Sequence, residues 1–547
     1  MKNILIPLAI VLITLINACN PMDKADLIIT GAVIYTVDSS FTTAEGMAIA
    51  KGKILAVGSH DEITGKYSAD LIYDLGGKAV YPGLIDAHCH FLGYGLGRLK
   101  RADLTGTRSM QEVVERVQQH HEKFPDLYWI EGRGWDQNDW ADKQFPDKSK
   151  LDELFPDNPA MLTRIDGHAA LVNSEALELA GISAETKIEG GDIILSNGQP
   201  TGILIDNAME LVKNIIPEAS AEEIISALLL AQDDCFAVGL TGVHDAGLET
   251  QQVQIIDSLQ RAGKLKMRVN VMLSPTQENL DTYVDGGPYI TDRLSVRSIK
   301  LYADGALGSR GALLIDEYSD DPGNRGILLT HPDTIRSICQ QAIDDGYQVC
   351  THAIGDSANR MMLHLYGEFL QGPNDLRWRI EHAQIVAPED FDLFGKYSIV
   401  PSVQPTHATS DMYWAPDRVG QERIKGAYAY KQLLDQSGWI PLGTDFPIEQ
   451  INPMLTFFAA TARQDADGFP DGGFQSENAL SREETLRGMT IWAARAAFEE
   501  NRKGSLEPGK VADFVVLDTD IMQIPLVEVP KVKVMKTFVG GQQVYSR

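Results

Sequence analysis

The stretch YPGLIDAHCHF, Tyr81–Phe91, decides how this chain is read. It is apolar through Ile85, turns polar at Asp86, and ends with His88 and His90 on either side of Cys89. Side chains alternate along a strand, so residues two apart point the same way. A strand ending in His-Cys-His therefore aims two imidazoles at one point and turns the cysteine aside. Neutral imidazole is a ligand for Zn2+, Fe2+, Mn2+ or Co2+. Taken alone, the pair reads equally well as surface histidines at a strand end.

The same design recurs outward along the chain. Short apolar runs end in a polar residue and alternate with helical periods: GLTGVHDAG (239–247), VRSIKLYADGALGS (296–309), YQVCTHAIGD (347–356), RWRIEHAQ (377–384), YSIVPSVQP (397–405) and WIPLGTDFP (439–447). Near-continuous apolar strands alternating with helices predict a parallel sheet covered on both faces, and the length favours a (β/α)8 TIM-like barrel over an open sheet. In such barrels functional residues gather at the C-terminal ends of the strands. Lys300, His352, His382 and Asp445 all end such runs, so with His88 and His90 they form six candidate metal ligands on one rim.

Both ends of the chain are rich in short β-branched runs, ADLIITGAVIYTVD near the start and GKVADFVVLDTD near the finish. They predict one small discontinuous β-sandwich, residues 24–82 joined to 496–547. The barrel would occupy 83–495, interrupted at its mouth by an insertion over about 98–235. That insertion is dense in Trp, Asp, Arg and His.

The 547 residues carry a formal net charge of −28 and a pI near 4.8, which argues against a nucleic-acid partner. The opening MKNILIPLAIVLITLINACN has the shape of a signal peptide over 1–18, with an apolar run too short to span a membrane comfortably. Its end, LINAC, resembles a bacterial lipobox with Cys19 as the lipidated residue; a plain signal peptide or an uncleaved anchor is the alternative. The expected location is the cell envelope, anchored and facing the periplasm, or secreted. Cys89, Cys235, Cys339 and Cys350 form no CxxC pair and read as small buried apolar residues.

The ordered set HxH, Lys, His, His, Asp resembles the amidohydrolase superfamily, and the resemblance covers nearly the whole mature chain. The strings PGLIDAHCH, GWDQNDW, RIDGHAALVNSEAL, KLYADGALGSRGALL, HAIGDSAN, RIEHAQ, SVQPTH, GTDFPI and GSLEPGKVADFVVLD are similar to the branch that includes N-substituted formamide deformylase. The resemblance implies that His88, His90 and Asp445 bind one divalent ion and that His352 and His382 bind a second. It also implies that Lys300 is N-carboxylated by CO2 and bridges them; a pairing of Lys300 with Asp304 is the alternative. One or two ions are expected, zinc first and iron, manganese or cobalt after it. The implied reaction is hydrolysis of a carbon–nitrogen bond other than a peptide bond, in a small amide, formamide or cyclic amide. Asp445 would be the general base. Two alternatives stand beside it: the same site acting on an ester, lactone or deaminable ring, and a non-catalytic binding or regulatory lipoprotein on a hydrolase scaffold.

Further residues are expected near the substrate. Arg164, Asp166 and His168 would face it from the insertion or fix that loop. Trp135 would wall the pocket or close a core, as would Trp140. Arg310 would bind an oxyanion or form an ion pair. His407 would follow the seventh strand, with Asp411 behind it, while His244 would line the site without being a ligand. A homodimer is compatible with these expectations.

Overall fold

In the computed structural model, residues 22–165, 167–188 and 191–547 are described. Seven strands, Leu84–Cys89, Leu240–Leu248, Arg268–Leu273, Leu294–Tyr302, Gln348–Ala353, Arg379–His382 and Val400–Ser402, pair in chain order, every pairing parallel. Leu84–Cys89 and Arg268–Leu273 are buried at every position, as strands covered on both faces must be.

The ring is closed by the extended segment around 441–446. It bonds the seventh strand through Val403 N to Pro441 O (3.2 Å) and Gly443 N to Val403 O (3.0 Å). On its other side it bonds the first strand through Ala87 N to Leu442 O (3.1 Å) and Asp445 N to His88 O (2.8 Å). The expected (β/α)8 barrel is therefore present, with its eighth position held by an irregular segment. Helices such as Thr250–Arg261, Pro332–Asp345 and Asp356–Leu370 bury apolar faces against it. Pro332–Asp345 ends in Gly346 at φ 74, a left-handed cap that glycine adopts without a Cβ penalty.

Two sheets from the chain ends make the sandwich. One orders Lys53–Gly58, Gly46–Ala50, Asp23–Thr30 and Tyr67–Asp74; the other joins Ala79–Pro82 to Phe514–Leu517, an antiparallel pair between the two ends of the chain. Leu27, Ile49, Val80, Phe514 and Phe538 fill the space between them. The sandwich is tied to the barrel by Arg268, at the start of the third barrel strand. Its guanidinium meets the buried Asp513 carboxylate at 3.0 Å (Nη2–Oδ1), and Gly540 N donates to the same oxygen at 2.7 Å.

The insertion builds its own six-stranded sheet, from Arg101–Asp103 through Gln199–Asp206, with a core that includes Leu104, Trp135, Trp140 and Leu162. The helix Ala221–Ala237, within the span expected for the insertion, instead packs on the barrel. Its Ile224, Leu228 and Phe236 join the barrel core, and Gly95 of Phe91–Lys100 lies against Ala227. Among the described residues no helix is long and apolar enough to cross a membrane.

Candidate functional site

The barrel rim brings the six strand-end residues together. His90 Nε2 and His88 Nε2 lie 3.4 and 3.7 Å from Asp445 Oδ1, and Lys300 Nζ lies 3.2 Å from His88 Nε2. The His382 ring is centred 5.0 Å from His88 and 4.5 Å from His352. Among the described residues, His88, His382 and Asp445 each offer a ligand atom, and these atoms lie within 4.8 Å of one another. His407 joins them from the helix Pro405–Asp411. Its ring stacks on His382 at 5.8 Å and its Nε2 is 3.8 Å from Asp445 Oδ2.

Local backbone devices set this geometry. Asp86 accepts from His88 N (3.1 Å), Thr444 N (3.0 Å) and Thr444 Oγ1 (2.7 Å), so it clamps the first strand to the closing segment. It steers the two histidines through the backbone, not through an imidazole. Gly443 lies so close that a Cβ there would stand 2.6 Å from His88 N. His382 at φ 71 and Asp445 at φ 63 occupy the left-handed region, which side-chain-bearing residues seldom adopt and which recurs at functional sites.

Partners behind the rings fix which nitrogen faces the centre. His88 Nδ1 is 2.5 Å from Glu381 Oε2, His90 Nδ1 is 3.1 Å from Ala246 O, and His382 Nδ1 is 2.7 Å from Gln404 Oε1. Each of these oxygens is an acceptor, so each Nδ1 carries the proton and Nε2 presents a lone pair. Burial, and then Lys300, pulls His88 down to about 4; burial and Lys300 pull His352 down to about 3. Burial also lowers Lys300 from its ordinary range. Burial pushes Asp445 upward, but the close His90 imidazole and the His88, His382 and His407 rings outweigh it and hold the carboxyl well below the usual range.

Asp445 Oδ1, His352 Nε2 and His407 Nε2 are buried with no hydrogen-bond partner. Buried polar atoms are rarely left so. Two inward imidazole nitrogens and an anionic oxygen, unsatisfied by protein, fit a divalent cation. Lys300 reaches His88, while Asp304 accepts the backbone N–H groups of Leu313 (2.8 Å), Ile354 (3.0 Å) and Gly355 (2.8 Å).

The remaining candidates divide. Trp135, a candidate pocket wall, is a core residue: its ring is fully buried among Leu104, Trp140 and Leu162, and its Nε1 donates to Leu162 O at 2.7 Å. Trp140 is buried beside it. Arg310 forms the ion pair rather than an oxyanion site, with Asp320 Oδ2 at 3.0 Å. Arg164 is tied to Asp136 (2.6 Å) and Gln137 (2.9 Å), and His168 Nδ1 lies 2.8 Å from Asp206 Oδ1. Asp166 lies outside the described residues, as do Cys19 and the 1–18 leader. His244 is buried beneath the rim, its Nδ1 3.0 Å from Arg379. Asp411 accepts from Tyr428 at 2.8 Å. Cys89 is buried and turned to His244 O, and Cys235, Cys339 and Cys350 are buried too.

Arg379, Glu381 and Gln404 were not anticipated. Their signal was available: Arg379 and Glu381 sit two apart, on either side of Ile380, in the strand Arg379–His382 and share the face of the barrel interior.

A parallel barrel with an HxH first strand, a strand-end lysine, two further histidines and an aspartate is the architecture of metal-dependent hydrolases. The model of the amidohydrolase family matches residues 71–545, and the chain belongs to that family. Protein LONG AFTER FAR-RED 3 of Arabidopsis thaliana is 36% identical over 95% of this chain and 92% of its own length. N-substituted formamide deformylase of Arthrobacter pascens is 27% identical over 95% of this chain and 98% of its own. The crystal structure of an uncharacterised metal-dependent hydrolase from Pyrococcus furiosus superposes with TM-score 0.77 at 31% identity, covering 91% of this chain and 100% of that one.

Proposed function

We propose that this chain hydrolyses carbon–nitrogen bonds other than peptide bonds, in small amides, formamides or cyclic amides, with one or two divalent ions. The observation that carries the reading is the His88–His382–Asp445 trio with its unsatisfied, buried Asp445 Oδ1. His88, His90, Lys300, His352, His382 and Asp445 would hold the ions. Zinc is the first to test; iron, manganese and cobalt share the donor chemistry. When bound, such an ion supplies Lewis acidity, lowering the pKa of water from about 15.7 toward about 7 and polarising a carbonyl.

The side chains divide the remaining work. Asp445 begins ionised, as a base must. Its Oδ1 faces His88 and His90, so Oδ2, facing His407, is the oxygen that takes the proton of the attacking water and returns it to the leaving nitrogen. Burial lowers Lys300 from its ordinary range. Once its ammonium had given up a proton, the amine nitrogen would add to the carbon of CO2 and release a second proton to solvent, leaving an anionic carbamate oxygen donor beside His88. The similarity to N-substituted formamide deformylase supports the choice of bond. A lipid anchor at Cys19, on the outer face of a membrane, is supported by the apolar leader and its LINAC ending.

The test is elemental analysis of the purified protein together with turnover of a panel of formamides, amides, cyclic amides, esters and lactones. A carbon–nitrogen substrate should turn over, lose turnover on chelation and regain it with Zn2+. A folded protein that takes up no divalent ion, or one that cleaves only the esters and lactones, overturns the proposal.

A further inference from the structure

The interior of the barrel holds a buried charge pair directly beneath the rim. Arg379 and Glu381, alternate residues of the sixth strand, are both fully buried. Arg379 Nη2 donates to Glu381 Oε2 at 2.9 Å, to Ala87 O of the first strand at 2.6 Å and to Ser402 Oγ of the seventh at 2.9 Å. Its Nη1 lies 3.0 Å from His244 Nδ1 on the second strand. Arg379 Nε also approaches Glu381 Oε1 at 2.6 Å, a close ion-pair contact that lacks hydrogen-bond alignment. The guanidinium thus touches four strands around the ring.

Glu381 in turn passes this anchorage to one ligand ring. Its Oε2 is 2.5 Å from His88 Nδ1, the only carboxylate contact among the Nδ1 partners of His88, His90 and His382 described above. A guanidinium is always charged in a protein, and a buried one requires an anion beside it. An ionised carboxylate only accepts, so it forces the proton of His88 onto Nδ1. That leaves the Nε2 lone pair pointing at Lys300 and Asp445.

We propose that Glu381, braced by Arg379, is a positioning residue that sets the tautomer and aim of His88 and thereby the affinity of the rim for a divalent ion. The metal half of this inference rests on the proposed function; the tautomer half stands without it. Outer partners of ligand histidines typically matter by about 10–100-fold in metal affinity.

The experiment compares wild type with Glu381→Gln. The amide keeps the shape but has an N–H2 that donates to Nδ1, so it permits the wrong tautomer. Metal-free protein labelled with 15N-histidine, with His88 assigned from the signal missing in His88→Gln, reports the tautomer. Competition between the protein and a chelating dye for Zn2+ alone reports affinity. Wild type should show Nδ1–H at His88, and Glu381→Gln should show Nε2–H or a mixture, with Zn2+ binding about 10–100-fold weaker. Wild-type His88 protonated on Nε2, or a folded Glu381→Gln with wild-type tautomer and affinity, overturns the inference.

If Glu381→Gln does not fold because Arg379 is left unpaired, the double variant Arg379→Met/Glu381→Met removes both charges at similar volume, an exchange that buried pairs often tolerate. It should fold and lose the same tautomer bias and affinity; wild-type values in it are equally fatal. A wild type with Nδ1–H at His88 that takes up no Zn2+ sinks the proposed function and leaves the positioning role intact.

Discussion

At the residue scale, Asp445 is where chemistry and strain coincide. It holds a left-handed backbone conformation, its Oδ1 is buried without a partner, and nearby imidazoles hold it ionised. Asp445→Asn keeps the shape and removes the base, so turnover should fall about 10²–10⁴-fold while the fold, read by circular dichroism, is unchanged. Near-full turnover in that variant would refute the base assignment. Lys300→Ala should bind Zn2+ more weakly than wild type by elemental analysis after dialysis, and retention of full metal would remove Lys300 from the ligand set. The rim residues were legible in the sequence because each breaks an apolar run at its end, as His352 does after YQVCT. Glu381 and Arg379 were not, because alternation of charged and apolar residues ordinarily marks a strand with one wet face. The inside of a barrel produces the same pattern with both faces dry. Trp135 could be read either way from the sequence, because tryptophan beside Asp and Arg resembles a pocket wall; the insertion has a core of its own to fill, and Trp135 belongs to it.

At the element scale, the closing segment and the barrel–sandwich joint are the fragile points. Gly443→Ala would press a Cβ against the backbone of His88 and the carboxylate of Asp86, at 2.6 and 2.8 Å. The first is backbone and the second is a carboxylate clamped by His88 N and Thr444, so a loss of about 1–3 kcal/mol is expected, with weakened metal binding because His88 must move. Gly65→Ala, in helix His60–Lys66 with nothing within 4 Å, is the control and should be neutral or slightly stabilising by thermal unfolding.

At the joint, burial raises Asp513, but the charge and hydrogen bonds of Arg268 outweigh it and the carboxyl ends below its usual value. A lowered folded pKa contributes stability above the unfolded value of about 3.9, and that contribution is lost as the pH falls through the folded one. Asp513→Asn should therefore cost about 3–5 kcal/mol at neutral pH by leaving Arg268 buried and unpaired. The gap in thermal midpoint to wild type should narrow below about pH 4; a gap that widens on acidification would contradict the assignment. The strand Arg268–Leu273 itself escaped the sequence reading because it ends in Leu273 with no polar residue to flag it. The closing segment was read as a strand from WIPLGTDFP, and its irregularity follows from the tight fit at Gly443 and the turn at Asp445.

At the scale of the whole molecule, two chain ends meet in one sandwich, and the barrel between them carries the site. The alternation of apolar runs made the barrel legible from the sequence, and the insertion's sheet was not, since its strands mix polar and apolar residues without a clear period. An anchored enzyme would present this assembly at a membrane surface. Labelling cells with a fatty-acid analogue should mark the wild-type chain and leave Cys19→Ala unmarked; equal labelling would refute the anchor.

The clamp from Asp86 to Thr444 spans 358 residues of sequence and sits between the HxH strand and the base. Synthesis runs from one end, so the first ligands emerge long before the last. On the proposed mechanism, a chain released anywhere short of Asp445 would have most of its barrel strands and no base. Turnover would then begin only once the ring had shut, which would make it a gauge of barrel closure.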